Sequence, residues 1–281
     1  MKRILVPCDF SAAAKHAFQF AVEMAAACGG HVFVLKVMQA PTVFGNGMPG
    51  QALAAIDPIS RIDEWIAYSE KEFEKLKSKT AHGAERAELL LETGYVNDVI
   101  RDVIKREKID LVVMGTDGAS GLKEFFIGSH TEKIVRDSPI PVMAIHGPFH
   151  LDSVKNIVFP TTMELDQKPL VQQITALQTL FGAVVHLLYV NGFPFSMESD
   201  EEAERKLEDY ALFYGLKDYT VHVSRGLNVQ EGILNYARRI PNSIIAMGTH
   251  GYKGLAHFTQ GSVAEDVVNH LSEPVWTYVM Q

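Results

Sequence analysis

Two glycine-rich segments have the residue types and spacing to hold an anion. The first runs from Gly115 to Ser129 and the second from Gly248 to Ser262, and each reads glycine, two residues, glycine, nine residues, Gly-Ser. A glycine at the end of a strand lets the backbone come close to a ligand. A serine at a helix start lies beside unpaired N–H groups and the positive end of the helix dipole. The spacing therefore predicts two phosphate-binding loops.

The two segments belong to an internal duplication. Each follows a short apolar run and precedes an amphipathic segment with a Pro-Val pair, Pro141-Val142 in the first and Pro274-Val275 in the second. Equivalent residues from the glycines to these pairs keep one offset of 133 (248 − 115). A constant spacing of this kind indicates a repeated structural unit. We predict two domains, residues 1–148 and 149–281.

The elements that must position these loops alternate between strands and helices. Short continuous apolar runs such as Ile4-Leu5-Val6 are typical of strands buried on both faces of a parallel sheet. Amphipathic stretches between them read as helices, with Ser11 as the cap of the first and a helix from about Leu165 to Phe181 in the second half. Residues 40–58 read as an irregular excursion. The predicted fold class is α/β, with two tandem three-layer α/β/α domains on five-stranded, mostly parallel open sheets.

Composition narrows the functional classes. The 281 residues have a formal net charge of −8, which argues against a nucleic-acid partner. Two cysteines are too few for a disulfide framework, so a reducing cytoplasm is expected. The longest apolar stretches are broken by charged residues, so we expect no membrane span.

The doubled glycine motif, together with a Pro-x-Asp element at Pro7 to Asp9, resembles the signature of the universal stress protein family. The likeness covers nearly the whole chain and is that of a tandem, two-domain member. It implies an adenine nucleotide alpha hydrolase-like fold and a site for ATP or AMP, with Mg²⁺ as an optional companion ion. It also implies a stress-response sensor or regulator with little or no catalysis.

The resemblance assigns site residues by motif position. Asp9 would meet the ribose and adenine end, valines would line the base pocket, and the glycines and serines would hold the phosphates. In the first half the implied nucleotide-binding residues are Pro7, Asp9, Val37, Met114, Gly115, Gly118, Gly128, Ser129 and Val142. In the second half they are Pro160, Thr162, Val190, Met247, Gly248, Gly251, Gly261, Ser262 and Val275.

The second half departs from the family pattern at one of these positions. Thr162 stands where the first half has Asp9. A threonine has no carboxylate to accept two hydrogen bonds from a ribose diol. We expect the second site to bind nucleotide more weakly than the first, or not at all.

Two other classes of function stay open. One is an interaction or chaperone-like module with empty pockets, and the other is a slow ATPase. The glycine motif has no shared acid or base, because Asp117 and His250 occupy the same repeat position. A G-x-G-x-x-G match at Gly45 to Gly50 lies in the predicted excursion, which lacks the strand-to-helix turn of a dinucleotide site.

The sequence contains three weaker signals of function or assembly. Cys8 reads as a small buried residue or a redox-sensitive thiol, and His146 and His150 read as parts of a linker rather than metal ligands. The fifth strands of the two halves are expected to cover each other as an internal pseudo-dimer. Trp276 and Tyr278 are expected on alternate faces of that seam, and a further homodimer is left open.

Overall fold

A computed structural model of the chain describes residues 1–39, 58–80, 83–116, 129–192, 198–249 and 263–280. Within them, strands and α-helices alternate in each half. The strands are β1 (Arg3–Pro7), β2 (His31–Met38), β3 (Ala87–Thr93), β4 (Leu111–Gly115), β5 (Val142–Ile145), β6 (Asn156–Pro160), β7 (Val184–Gly192), β8 (Tyr219–Gly226), β9 (Ser243–Thr249) and β10 (Val275–Val279). The helices are α1 (Ala12–Cys28), α2 (Pro58–Lys79), α3 (Val96–Arg106), α4 (Ser129–Asp137), α5 (Lys168–Phe181), α6 (Asp200–Tyr214), α7 (Val229–Ala237) and α8 (Val263–His270).

The described strands form one sheet in the order β3-β2-β1-β4-β5-β10-β9-β6-β7-β8. Within each half the paired strands are parallel, and helices cover both faces, so the predicted α/β class is confirmed. The two five-stranded sheets are not separate, because β5 and β10 pair in antiparallel orientation, with Trp276 opposite Met143. The fifth strands thus cover each other's edges, as the sequence predicted.

The aromatic pair at this seam corrects one expectation. Trp276 is fully buried, and its ring stacks on that of Tyr278 with 4° between the ring planes and 6.0 Å between the centroids. The prediction that the two rings lie on alternate faces was wrong, since residues two apart in a strand point to the same side.

The core differs between the two faces of the sheet. On the face covered by α1 and α5, one cluster of buried apolar side chains runs through both halves and includes Phe18, Phe159 and Trp276. The other face has two clusters, one around Ile104 of the first half and one around Val267 of the second half, which also includes Ala144 of β5. The helices of the described residues are all too short or too polar to cross a bilayer.

The first helix shows how the sequence sets local structure. Ser11 caps α1, and its hydroxyl accepts a hydrogen bond from the Ala14 N–H at 3.3 Å, as predicted. Nine apolar side chains of α1 are buried against the sheet. The helix ends at Gly29, whose φ of 64° is left-handed and suits a residue without Cβ. The amino end of α1 is thereby fixed beside the carboxyl ends of the strands.

Candidate functional site

Five of the predicted residues of the first half meet at the carboxyl edge of the sheet: Pro7, Asp9, Val37, Met114 and Gly115. Pro7 ends β1 and lies opposite Leu35 of β2. The N–H of Cys8 donates to the Leu35 carbonyl at 2.8 Å and extends this pairing. Asp9 is therefore level with Val37, two residues beyond Leu35.

The reversal of strand order lies at the same edge. β1 is hydrogen-bonded to β2 on one side and to β4 on the other, and Leu5 lies opposite Val112. Met114 and Gly115 at the end of β4 therefore reach the level of Pro7. In open α/β sheets such a reversal point opens a crevice at the carboxyl ends of the strands. We call this place, between the Asp9 turn and the end of β4, the first-half crevice.

Asp9 presents a charged carboxylate at this crevice. Asp9 is an exposed residue. Its Oδ1 accepts a hydrogen bond from the Ser11 N–H at 2.9 Å, and Lys36 Nζ donates one to its backbone carbonyl at 3.4 Å. Partial burial by itself would raise the pKa of Asp9. Hydrogen bonds from Ser11 and the positive charge of Lys36 outweigh it and hold the pKa below its ordinary value. The carboxylate is thus ionised at neutral pH and can accept hydrogen bonds from hydroxyl groups.

The turn that carries Asp9 has an unusual backbone in both halves. Phe10 has φ of 69°, and Met163, the third residue after the equivalent proline, has φ of 62°. Left-handed backbone is uncommon for residues with a Cβ. Packing holds Phe10 in place, since the side chain is buried and its ring meets the edge of the Tyr68 ring at 6.5 Å. Neither position is a glycine or an asparagine, so no local sequence pattern predicts the left-handed backbone.

Gly115 has a packing role in addition to the predicted one. A Cβ on this residue would overlap the backbone of Ala13 and would lie 2.7 Å from the amide nitrogen of Ala14. The amino end of α1 therefore packs directly on the end of β4. This close approach brings the helix start and the strand end to the same crevice.

The second half repeats the strand geometry. Pro160 lies opposite Leu188, and the Thr161 N–H donates to the Leu188 carbonyl at 2.9 Å. Thr162 is therefore level with Val190, as Asp9 is with Val37. Met247 and Gly248 near the end of β9 reach the same edge. We call this place, the counterpart of the first, the second-half crevice.

A hydrogen-bond network centred on the buried Gln167 lies at the second-half crevice and reaches the surface at Thr162, which is exposed. Gln167 is only 3% exposed, and its Oε1 accepts hydrogen bonds from the Tyr210 hydroxyl at 2.7 Å and the Thr161 hydroxyl at 3.1 Å. Its Nε2 donates to Thr162 Oγ1 at 3.2 Å, and its backbone N–H donates to the Tyr214 hydroxyl at 3.0 Å. Burial raises the pKa of both tyrosines, which stay neutral. We call these five residues the Gln167 network. No local sequence pattern predicts it.

Side chains also cover the end of β9. A Cβ on Gly248 would lie 2.6 Å from Leu170 Cδ2 and 3.3 Å from Met280 Cε, so the tips of these side chains lie over the glycine. Helix α7 approaches the level of Thr162 as well, because a Cβ on Gly232 would lie 3.0 Å from Val190 Cγ2. The second-half crevice is lined by closely packed side chains where the first presents a carboxylate.

Two predicted base-pocket residues are not at these edges. Val142 begins β5 opposite Val112, and Val275 begins β10 opposite Ile245, whereas Ile145 is the β5 residue opposite Gly115. Both valines are buried. The correction has a simple cause, since each Pro-Val pair opens its strand and leaves the valine at the amino end.

Part of the predicted phosphate sites cannot be described. Gly118, Gly128, Gly251, Gly261 and Ser262 lie outside the described residues, and so do Asp117 and His250. Ser129 is the first residue of α4. The phosphate roles of these positions stay predictions.

The weaker sequence signals have structural explanations. Cys8 is buried, and burial raises the pKa of its thiol to about 11, so it is a neutral thiol at physiological pH. His146 follows β5, and its Nε2 lies 2.6 Å from the Val268 carbonyl of the other half, while His150 Nδ1 lies 2.8 Å from Glu23. In the described part of the chain, His, Cys, Asp and Glu form no group of three or more that could hold a metal ion.

Comparisons with known proteins agree with this fold. The family model described as universal stress protein family matches residues 1–146 and 153–278. Universal stress protein Slr1230 of Synechocystis is 22% identical over an alignment that covers 99% of this chain and 100% of the relative.

Two solved structures are similar in fold over nearly the whole chain. A universal stress protein from Archaeoglobus fulgidus has a TM-score of 0.78 at 19% identity, covering 99% of this chain and 98% of that one. The functionally unknown protein PA1789 from Pseudomonas aeruginosa has a TM-score of 0.67 at 16% identity, covering 99% and 92%. These likenesses concern the fold, and the family model matches both halves. The chain therefore belongs to the universal stress protein family, as a tandem member with two such domains.

Proposed function

We propose that the chain binds an adenine nucleotide, ATP or AMP, in the first-half crevice and acts as a stress-response sensor or regulator with little or no catalysis. The observation that carries this proposal is the ionised, exposed carboxylate of Asp9 at the reversal point of the sheet. A carboxylate can accept two hydrogen bonds from a ribose diol, and such charge-assisted bonds are about twice as strong as neutral ones.

The elements around Asp9 support the proposal. Val37 is level with the carboxylate and is a partly buried apolar side chain that can contact a base. Gly115 leads from the end of β4 into the glycine motif, which is followed by the start of α4. Amide groups at a helix start suit the negative charge of a phosphate. Along the chain, the carboxylate of Asp9 comes first, then the glycines of the motif and then the start of α4. A nucleotide runs in the same order, from the ribose to the phosphates.

The second-half crevice is proposed to stay empty or nearly so. The hydroxyl of Thr162 already accepts a hydrogen bond from Gln167, and Leu170 and Met280 cover Gly248. A ligand would have to displace this network and would leave buried hydroxyls without partners, at a cost of about 1–3 kcal/mol for each group.

Little catalysis is expected from the groups at the first-half crevice. The burial that raises the pKa of Cys8 to about 11 leaves its thiol protonated and a poor nucleophile at neutral pH. Phosphoryl transfer depends on a positioned base or water and on charge neutralisation. Mg²⁺ could accompany a bound triphosphate and supply that neutralisation, while the residues of this chain would hold the ribose and the base.

Nucleotide content and turnover test the proposal together. The purified protein is denatured with acid, the released nucleotide is identified by chromatography, and phosphate release from added ATP is measured. We expect bound ATP or AMP with negligible turnover, and loss of the nucleotide in Asp9→Ala but not in the matched control Thr162→Ala.

Two outcomes would contradict the proposal. An empty protein that also fails to bind added nucleotide would favour an interaction module. Steady phosphate release that is lost on Ser129→Ala would favour a slow ATPase.

A further inference from the structure

A second polar cluster lies in the second half, away from both crevices. It joins His186 of β7 and His222 of β8 to Thr220, Asn156 and Tyr236, and we call these five residues the histidine cluster. The two imidazole centroids are 5.7 Å apart, and the His222 ring is 4.9 Å from the Tyr236 ring of α7. The hydroxyl of Tyr236 is buried and lacks a hydrogen-bond partner among the described residues.

The hydrogen bonds of this cluster assign the imidazole protons. Asn156 Nδ2 donates to the Pro241 carbonyl at 2.8 Å, so its Oδ1 is an acceptor and His186 Nε2, at 2.9 Å, is the donor to it. A neutral His186 then accepts at Nδ1 from the Thr220 hydroxyl at 2.8 Å. The same oxygen of Thr220 accepts from His222 Nε2 at 2.8 Å. The chain of bonds is complete only while His186 is neutral, because its Nδ1 must accept, whereas a protonated His222 still donates from Nε2.

The first half of the chain has no such cluster at the equivalent place. Strand pairing puts Phe33 where the second half has His186, and Leu90 where it has His222. Phe33 is almost fully buried in an apolar cluster with which Leu90 packs. The same fold is thus built without these histidines, and burying polar groups costs more than burying apolar ones. The histidine cluster therefore calls for an explanation other than the stability of the fold.

We propose that the histidine cluster is an acid-sensitive switch. It holds the outer strand β8 and helix α7 on the sheet while His186 is neutral, and protonation of His186 loosens them. When His186 gains a proton, both of its ring nitrogens become donors. The Thr220 hydroxyl hydrogen then loses its acceptor inside the cluster. A protonated His186 also places its positive charge beside that of a protonated His222, with the ring centroids 5.7 Å apart.

The surrounding charges decide the order of protonation. Among the described residues, the titratable groups that act on the pair are each other, Tyr236 of α7 and Glu204 of α6. Burial lowers the pKa of both histidines; the positive charge of a protonated His222 lowers that of His186 further, whereas the carboxylate of Glu204 acts in the opposite direction on His222. His222 therefore protonates first, and His186 follows at lower pH.

The direction of the effect follows from proton linkage. In the unfolded chain both histidines have an ordinary pKa of about 6.5, while in the folded chain the pKa is lower. Below about pH 6.5 the unfolded chain binds more protons, so stability falls as the pH falls toward the folded values. The contribution of the cluster is complete above that window.

Chemical unfolding at several pH values tests the switch. Between about pH 7.5 and about pH 5.5 the unfolding constant of the second half should rise by up to about tenfold per pH unit for each histidine. The double variant His186→Phe with His222→Leu, which copies the first half, should remove most of this rise. His270→Gln, an exposed histidine of α8, is the matched control and should keep it.

A spectroscopic titration gives a second readout. The imidazole resonances of His186 and His222 should titrate with pKa values below that of an ordinary histidine. The backbone amides of β8 and α7 should exchange faster as the pH falls through that titration. If the double variant does not fold, the single variant His222→Gln is measured instead, because its amide keeps a donor for Thr220. It should remove the share of the pH dependence that comes from His222. An unchanged pH dependence in these variants, or two imidazoles that titrate at the ordinary value, would overturn the proposal.

Discussion

At the end of β1 the chain presents the ionised carboxylate of Asp9, whereas at the equivalent end of β6 it presents Thr162, whose hydroxyl is already bonded to Gln167. The two turns have the same left-handed third residue, so the backbone does not explain the contrast. The difference comes from the side chains around each turn. The two halves share the backbone frame of the site and differ in the side chains placed on it.

The two glycines that begin the repeated motif also differ in the residues around them. Gly115 lies against the backbone of α1, and Gly248 lies under the side-chain tips of Leu170 and Met280. The glycines and the final serine that define the motif stand at the same positions in both halves. An intact motif therefore does not by itself indicate an open crevice, because the residues that fill the crevice come from other elements.

Replacing these two glycines by alanine should give the largest contrast. Gly115→Ala must displace the backbone at Ala13 and Ala14, and we expect it to lower the free energy of unfolding by about 3 kcal/mol. Gly248→Ala needs only small side-chain shifts and should cost about 1 kcal/mol. Urea unfolding of both variants measures the difference; equal losses would mean that the two glycines have the same packing role.

Removing the centre of the Gln167 network should have the next largest effect. Gln167→Ala leaves the buried hydroxyls of Tyr210 and Thr161 without their acceptor, and we expect a loss of about 2–3 kcal/mol in the free energy of unfolding. Gln178→Ala, in α5 and at exposed bonds to the Lys217 and Asp218 carbonyls, is the control and should cost under about 1 kcal/mol. A loss no larger than that of the control would show that the network is dispensable.

The helix starts give the smallest contrast. Ser11→Ala removes the cap of α1 and should cost about 1 kcal/mol. It also removes the Ser11 side-chain hydrogen bond that helps to lower the pKa of Asp9, so that pKa should rise. Glu164→Ala, at the equivalent place in the second half, removes no cap and should be nearly neutral. Thermal unfolding with an NMR titration of Asp9 checks both effects, and a destabilising Glu164→Ala would contradict this comparison.

The sequence predicted what depends on local patterns. Alternating apolar runs and helices were enough for the α/β class, and the hydroxyl at Ser11 was enough for the first cap. The helix predicted from Leu165 begins at Lys168 instead. Residues before it bend to place Gln167 in its network, and Pro169 suits a first helical turn.

What the sequence did not predict depends on contacts between distant residues. Gln167 meets Tyr210 from another helix, and no spacing rule joins the two positions. Val142 and Val275 were assigned by motif order, but their place at the amino end of a strand depends on the register between strands. The left-handed backbone at Phe10 likewise depends on packing around the turn rather than on a glycine.

The stoichiometry of nucleotide binding tests the central contrast most directly. Titration of ATP and AMP into the nucleotide-free chain, followed by calorimetry, should give one site per chain, and Asp9→Ala should abolish it while Thr162→Ala leaves it intact. Two equivalent sites per chain, or a single site that survives Asp9→Ala, would contradict the account of one open and one filled crevice.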